Sequence, residues 1–358
     1  MFPLYRRDDR RLPGDFEGHV VTCDVDKTYL ETDFRSLGGL LRIPLEWAED
    51  KLTVPGMAAA LSALRHGPGA QSRLTPLYFL TASPPPLARS LERKMLLDGV
   101  QNDGITCKAW KTILMRRRPA WIKRQIAYKL SALLHQRTFL PREAREILIG
   151  DDIEIDPLAY ALYADILAKR IDDTELLIWL RHEGCDVDEI REVMEHKSAL
   201  RRPGDRVEAV YIRLVSGRGP AAYHVFGADM VTYRSPLQLA LSAVTRGYAR
   251  ETDVVEVARE LLDGHGVTPE VIDDEFHGAV ERGLLTPALA YETHDQLQIL
   301  GLASKLDPTV NRVEARCAPS RDDRGGRWTP SLEEYEQAMT QALATDAAGN
   351  EAQRSFDF

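Results

Sequence analysis

The sequence predicts an α/β protein built on a doubly wound parallel sheet. Three observations carry that expectation. Short apolar, β-rich runs recur at 19–23, 76–80 and 146–149; helical stretches separate them; and the runs end on Asp24, Thr81 and Gly150-Asp151. Strands alternating with helices imply parallel pairing. In such sheets the site lies beyond the carboxyl ends of the strands, where Asp24, Thr81 and Asp151 all fall.

Taken in order, residues 1–14 are charged and contain Pro and Gly, so an arm is expected rather than core. The strand at 19–23 is followed by a stretch, 29–42, whose Gly and Asp interruptions suit a short flap. Met57, Ala60, Leu61 and Leu64 have helical spacing in 56–66, which Gly67-Pro68-Gly69 closes. After the strand at 76–80, Ser83-Pro84-Pro85-Pro86 leads into a helix at 87–97. A short third strand is expected at 105–107 and a helix over 121–134. Pro157 suits the first turn of a helix running to about 167, since its missing N–H costs little there. Helical segments at 174–181 and 187–200 then form an insertion, about 171–205, expected either as a lid or as decoration. A strand at 207–215 resumes the pattern, and a last strand and helix fill 223–246. Beyond 251 the chain reads as helices without strands, with a loop at 317–327 and a last helix from Ser331. The expected organisation is a catalytic domain over 1–250, a helical region over 251–345 and a disordered tail over 346–358.

Composition bounds the function. The chain has 358 residues, 44% hydrophobic and 28% charged, which suffices for a sizeable core, and its net charge of −9 argues against general coating of nucleic acid. The four cysteines form no CxxC pair and suggest neither a disulfide framework nor zinc. No secretory h-region and no run of apolar residues long enough to span a bilayer occurs, so a soluble protein of the reducing cytoplasm is expected. One segment reverses the average: Lys108, Lys111, Arg116, Arg117, Arg118, Lys123, Arg124 and Lys129 run without an acid, interleaved with Trp110, Trp121 and Tyr128. It reads either as a solvated or helix-packing face or as a contact for an anionic partner, a phospholipid surface or nucleic acid.

The chemistry starts from DVDKT, 24–28. Asp24 is placed to attack phosphorus and form an aspartyl-phosphate. Asp26, two residues on, is placed to protonate the leaving alkoxide and then activate water. A dianionic phosphate facing two carboxylates calls for a hard cation, magnesium, on oxygen ligands: Asp24, the Asp26 carbonyl and an acid from a later loop. Thr81 in FLTASP can hold a phosphoryl oxygen, Lys129 can neutralise its charge, and Asp151 with Asp156 supplies the later acids. Lys108, Lys111 and Lys123 remain alternatives to Lys129, and Asp152 to Asp156, with a loop-fixing role as its other reading.

In this order and spacing, the segments DVDKT, YFLTASP, Lys129 within YKLSALL, and LIGDDIEIDPLAY resemble the haloacid dehalogenase superfamily. More narrowly they resemble the catalytic domain of the actin-patch-associated phosphatidate phosphatases and their bacterial relatives. The strand VEAVYIRLV adds to the likeness, which covers about 17–248 and is interrupted by the insertion. It implies a Rossmann-like core, Asp24 as nucleophile and Asp26 as acid/base. It also implies Thr81, Ser83 and Lys129 at the phosphoryl group, and Asp151 on magnesium with Asp156 nearby. Lys27, where that family more often has an acid, and the lack of an aromatic after Ser83-Pro84 are departures that bear on substrate. The absence of a large cap resembles members acting on bulky substrates, so phosphatidate or another large phosphomonoester is expected. The alternatives are a sugar- or nucleotide-phosphate phosphatase capped by the insertion, and a non-catalytic binding protein on the same fold.

Overall fold

Strand β2 (His19–Asp24) lies at the centre of a seven-stranded sheet whose order follows from the crossovers of the chain. The other strands are β1 (Leu4–Asp8), β3 (Leu77–Thr81), β4 (Gly104–Lys108), β5 (Arg145–Asp151), β6 (Val207–Arg213) and β7 (Met230–Tyr233), in the order β1-β4-β3-β2-β5-β6-β7. All neighbours pair in parallel except β1, which is antiparallel to β4. The computed structural model describes residues 2–31, 52–118, 120–201, 204–304 and 325–349, with the backbone alone at 122, 123 and 342–349. The expected flap is therefore outside the described residues from 32 onward, as are most of the expected loop at 317–327 and residues 350–358.

The central strands form because they are nearly continuous apolar runs, the signature of parallel strands covered on both faces. Side chains alternate between two cores. Cys23, Phe79, Ile149 and Tyr211 face one, while Leu80, Leu148, Val210 and Ile212 face the other. Cys23 is fully buried on the first face, so Asp24, its neighbour, projects to the second.

That second face is covered by α5 (Ile126–Arg137) and α6 (Asp156–Ala168), both almost wholly buried. The expected helix at 121–134 is in fact broken, with a short helical turn, α4 (Ala120–Lys123), before α5. The insertion forms α7 (Asp173–His182) and α8 (Val187–Ser198). Asp186 caps α8 in a reciprocal capping box with Glu189. Helix α8 packs on α5, and the end of α7 reaches a cleft described below.

The first face is covered by α1 (Met57–His66), α2 (Ala88–Leu97) and α9 (Pro236–Thr245), and then by the C-terminal helices. Val254, Val257, Phe276 and Leu297 share one core with Met57, Leu61 and Leu64, so α10 (Glu251–Arg259), α11 (Pro269–Glu281) and α12 (Pro287–Ile299) complete the layer on that face. Glu260 fixes this docking: its carboxylate accepts from the Gly56 and Ala59 backbone N–H groups at 3.1 and 2.9 Å, capping α1 where no local side chain does. Glu260→Ala is expected to cost about 1–2 kcal/mol, the usual value of a helix cap, read as a lower urea midpoint. The last helix, α13 (Leu332–Gly349), begins with Ser331 and Glu334 exchanging hydrogen bonds and runs past residue 345, where the tail was expected to begin.

Two expectations are corrected. Residues 4–8 are not an arm but an edge strand, with Phe2 buried and stacked on Trp121 at 5.3 Å. Arg6 turns inward over Tyr78, while Arg7 and Asp8 leave charge on this edge strand, where it discourages pairing with other chains. The last strand does not start at Tyr223: Pro220–Phe226 is a 3₁₀ turn, and β7 follows it.

Candidate active site

Asp24, Thr81 and Asp151 are each the final residue of their strands, β2, β3 and β5. The strands are adjacent and parallel, so these three residues meet at one edge of the sheet. Helix α5 brings Lys129 over that edge, and α6 brings Asp156. All five are buried; Lys129 and Asp156 are 0% exposed.

The Lys129 ammonium lies 3.0 Å from Asp24 Oδ1, 2.8 Å from Glu154, and in contact with Asp156 Oδ1. Burial works against its charged form, but Asp156, Asp24 and Glu154 outweigh it and hold the ammonium well above its ordinary value. The carboxyls feel the opposite imbalance. Burial raises Asp24 well above the carboxylate range, with Lys129 opposing and the neighbouring acids adding. Burial and Asp156 push Asp151 up to about 7, and burial, against Lys129, pushes Asp156 up to about 6. Asp26 is raised by burial first and then by Glu154.

The loop at 151–156 is tightly held. Asp151 Oδ1 accepts from the backbone N–H groups of Ile153 and Glu154 at 2.7 and 3.0 Å, and Thr28 donates to its Oδ2 at 3.4 Å. The Asp151 N–H donates to Asp156 Oδ2 at 3.2 Å. This needs a glycine at 150, because a Cβ there would come within 2.3 Å of Asp156 Oδ2. Asp152 turns the other way: it accepts from the Val215 and Ser216 N–H groups, the Ser216 hydroxyl and the Tyr223 hydroxyl. These bonds tie Asp152 to residues 215, 216 and 223, and it is Asp156 whose carboxylate comes near that of Asp24.

Thr81 donates to Asp26 Oδ2 at 3.4 Å, and its hydroxyl accepts from the Ser83 N–H at 3.0 Å. Tyr128 donates to the Thr81 carbonyl and lies 3.1 Å from that of Thr106, locking the end of β3. Three buried oxygens at the centre, Asp24 Oδ2, Asp26 Oδ1 and the Ser83 hydroxyl, have no hydrogen-bond partner. Buried polar groups are nearly always satisfied, so such a cluster points to a ligand. Among the described residues, Asp24, Asp151 and Asp156 can each offer an oxygen with all three within 4.8 Å of one another, a donor set that suits a hard cation.

Of the other lysines considered, Lys108 is buried and donates to the Arg124 carbonyl, and burial lowers it to about 7. The side chain of Lys123 lies outside the described residues. The residue that sequence reasoning passed over is Glu154, whose side chain is 3% exposed against Lys129. Its one visible signal is a third acid in GDDIEID.

The basic run is not one solvated face. Lys108, Trp121, Tyr128 and Lys129 point inward. Arg116 pairs with Glu192, Arg118 with Asp188, and Arg124 with Asp186 and Glu189, all on or next to the insertion helix α8.

Beside the loop at 152–155 opens a cleft of about 760 Å³. Ile153, Glu154, Ile155 and Tyr223 line one side, His182 and Glu183 at the end of α7 line the rim, and Tyr335 and Met339 of α13 line the other side. Among the described residues no helix is long and apolar enough to cross a membrane.

No curated protein and no solved structure matches the chain significantly. A family model does, and it spans the four motif segments around which this site is assembled. Residues 19–182 match the catalytic domain of phosphatidate phosphatase APP1, a haloacid-dehalogenase-like family and the one that the motifs resemble.

Proposed function

We propose that the protein is a magnesium-dependent phosphomonoesterase that works through an aspartyl-phosphate and takes phosphatidate or another bulky phosphorylated substrate. The observation that carries this reading is the Lys129 ammonium set 3.0 Å from Asp24, whose second oxygen is buried without a partner.

Asp24 attacks phosphorus, and the bond from phosphorus to the leaving alkoxide breaks. Asp26 gives the alkoxide its proton; burial, which raises its carboxyl, favours the protonated form that a general acid needs. The resulting Asp26 carboxylate then takes a proton from water as that water attacks the aspartyl-phosphate, which releases phosphate and restores both acids. Lys129, Thr81 and Ser83 bind the phosphoryl oxygens and keep them in line. Asp24, Asp151 and Asp156, with the Asp26 carbonyl, would hold magnesium. When bound, the cation offsets the repulsion between these carboxylates and the phosphate.

The cleft beside Glu154 supports a substrate larger than a simple metabolite, since it extends from the loop that carries Asp151 and Asp156. A cytoplasmic location is part of the proposal and is supported by Cys23, Cys107 and Cys185, which are buried free thiols. Purified protein with magnesium is expected to release phosphate from p-nitrophenyl phosphate and from phosphatidate vesicles, and a chelator to stop both. Turnover unaffected by the chelator would sink the metal assignment. Phosphatidate left intact while the chromogenic ester is cleaved would sink the lipid assignment.

A further inference from the structure

Strand β4 ends beside Thr81, which pairs in register with Cys107. The chain then forms a short helix, α3 (Trp110–Met115), and turns back at Arg117, whose φ is 55°. This projection is firmly rooted. The Trp110 indole donates to the Ala82 carbonyl at 2.8 Å, next to the phosphoryl-binding residues, and Ile113 is fully buried. The Arg118 N–H closes the turn on the Ile113 carbonyl at 3.1 Å.

The outer surface of the projection has an unusual make-up for a water-facing tip. Leu114 and Met115 are 53% and 75% exposed, side by side at its end. Lys111, Arg116, Arg117 and Arg118 surround them, all exposed. Arg116 and Arg118 are braced against Glu192 and Asp188, which stiffens the tip from the side of α8. Lys111 and Arg117 extend the positive charge beyond that brace. Exposed apolar side chains ringed by Lys and Arg suit a bilayer interface: the apolar groups enter below the headgroups while the cations remain among anionic ones.

We propose that the tip at 111–118 docks on an anionic lipid bilayer and thereby presents the phosphoryl-transfer edge to substrate in the membrane. The proposal deepens the lipid-phosphatase reading and rests on it for its purpose. The surface itself is testable without turnover. A protein partner is the other occupant such a surface could have, and the charge pattern favours the bilayer: two exposed apolar residues offer little area to a protein, whereas Lys111 and Arg117, beyond the brace, complement anionic headgroups.

The test is co-sedimentation of the full chain with phosphatidylcholine vesicles, with and without phosphatidylglycerol. That lipid is a phosphodiester, so binding is read apart from hydrolysis. Wild-type protein is expected to bind the anionic vesicles in a salt-sensitive way and to leave the neutral ones largely alone. Lys111→Glu with Arg117→Glu, and separately Leu114→Asp with Met115→Asp, are expected to weaken binding at least ~10-fold, from about 1 kcal/mol per interfacial cation. Both double variants keep the melting temperature and the turnover of p-nitrophenyl phosphate, while their apparent KM for phosphatidate vesicles rises. Wild-type protein that ignores anionic vesicles, or variants that bind them as wild type does, would overturn the proposal, even if a protein partner were found at the tip. Vesicle binding lost in the variants of a protein without phosphatase turnover would leave the dock standing and sink the catalytic reading instead.

Discussion

Asp24→Asn is expected to lower phosphate release by ~10⁴-fold or more, the scale of losing a covalent nucleophile, without lowering the melting temperature. The two halves of that result have separate origins. An amide cannot form the acyl-phosphate, so loss of turnover tests the covalent route. Stability holds because burial already makes the charged form of Asp24 costly, and a neutral side chain of the same shape removes that cost. Lys129 meanwhile keeps Asp156 and Glu154 as partners. Asp26→Asn sharpens the test, since it leaves the nucleophile in place and removes the group that activates water. With p-nitrophenyl phosphate, whose leaving group needs little protonation, this variant is expected to give a burst and to accumulate phosphoprotein in acid-quenched samples. A natural alkoxide ester would react slowly at the first step instead. Turnover of Asp24→Asn within tenfold of wild type would remove Asp24 from the mechanism.

Where the sequence was legible, the physics was local. A parallel strand buried on both faces is an apolar run, and a polar residue that stops it abruptly marks the carboxyl end of the sheet, as at Asp24, Thr81 and Asp151. Alternation within the strand was enough to send Cys23 and Asp24 to opposite faces. The failures have the reverse character. Strand β1 reads as a charged arm because an edge strand can be polar, and the burial that anchors it comes from Phe2 and Pro3 just before it. The start of β7 was misplaced because Tyr223 looks like a strand residue but serves Asp152 from a 3₁₀ turn. The basic run misled because its partners, Glu192, Asp188, Asp186 and Glu189, lie 62 to 76 residues away, a pairing no window along the chain contains. Glu154 was missed for the same reason, since its acidity has consequence only once α5 sets Lys129 against it. The C-terminal helices were legible as helices, yet Glu260 capping α1 across about two hundred residues was not.

Lys129→Met should be the most damaging of these changes for stability, and it should lower turnover as well. Its ammonium contacts Asp24, Asp156 and Glu154 together, and none of the four side chains is more than 3% exposed. Removing one partner of a buried ion pair costs about 3–5 kcal/mol, unless the stranded acids take up protons. That escape makes the loss depend on pH, and its sign is fixed. Asp151 and Asp156 already titrate at about 7 and about 6 in the folded protein, above the carboxyl value of 3.8. An acid raised by folding binds more protons in the native state, so stability falls as pH rises from its unfolded value through its folded one. Without Lys129 these values, and that of Asp24, rise further. The melting temperature of the variant should therefore lie near wild type at about pH 5 and well below it at about pH 8. Magnesium should recover part of the loss at the higher pH by restoring positive charge among the same carboxylates. Turnover should fall by ~10²–10³-fold at either pH, as when a group that stabilises developing charge is removed. An equal drop in melting temperature at both pH values would mean that Lys129 stabilises by packing alone, and the charge balance assigned to this site would be wrong.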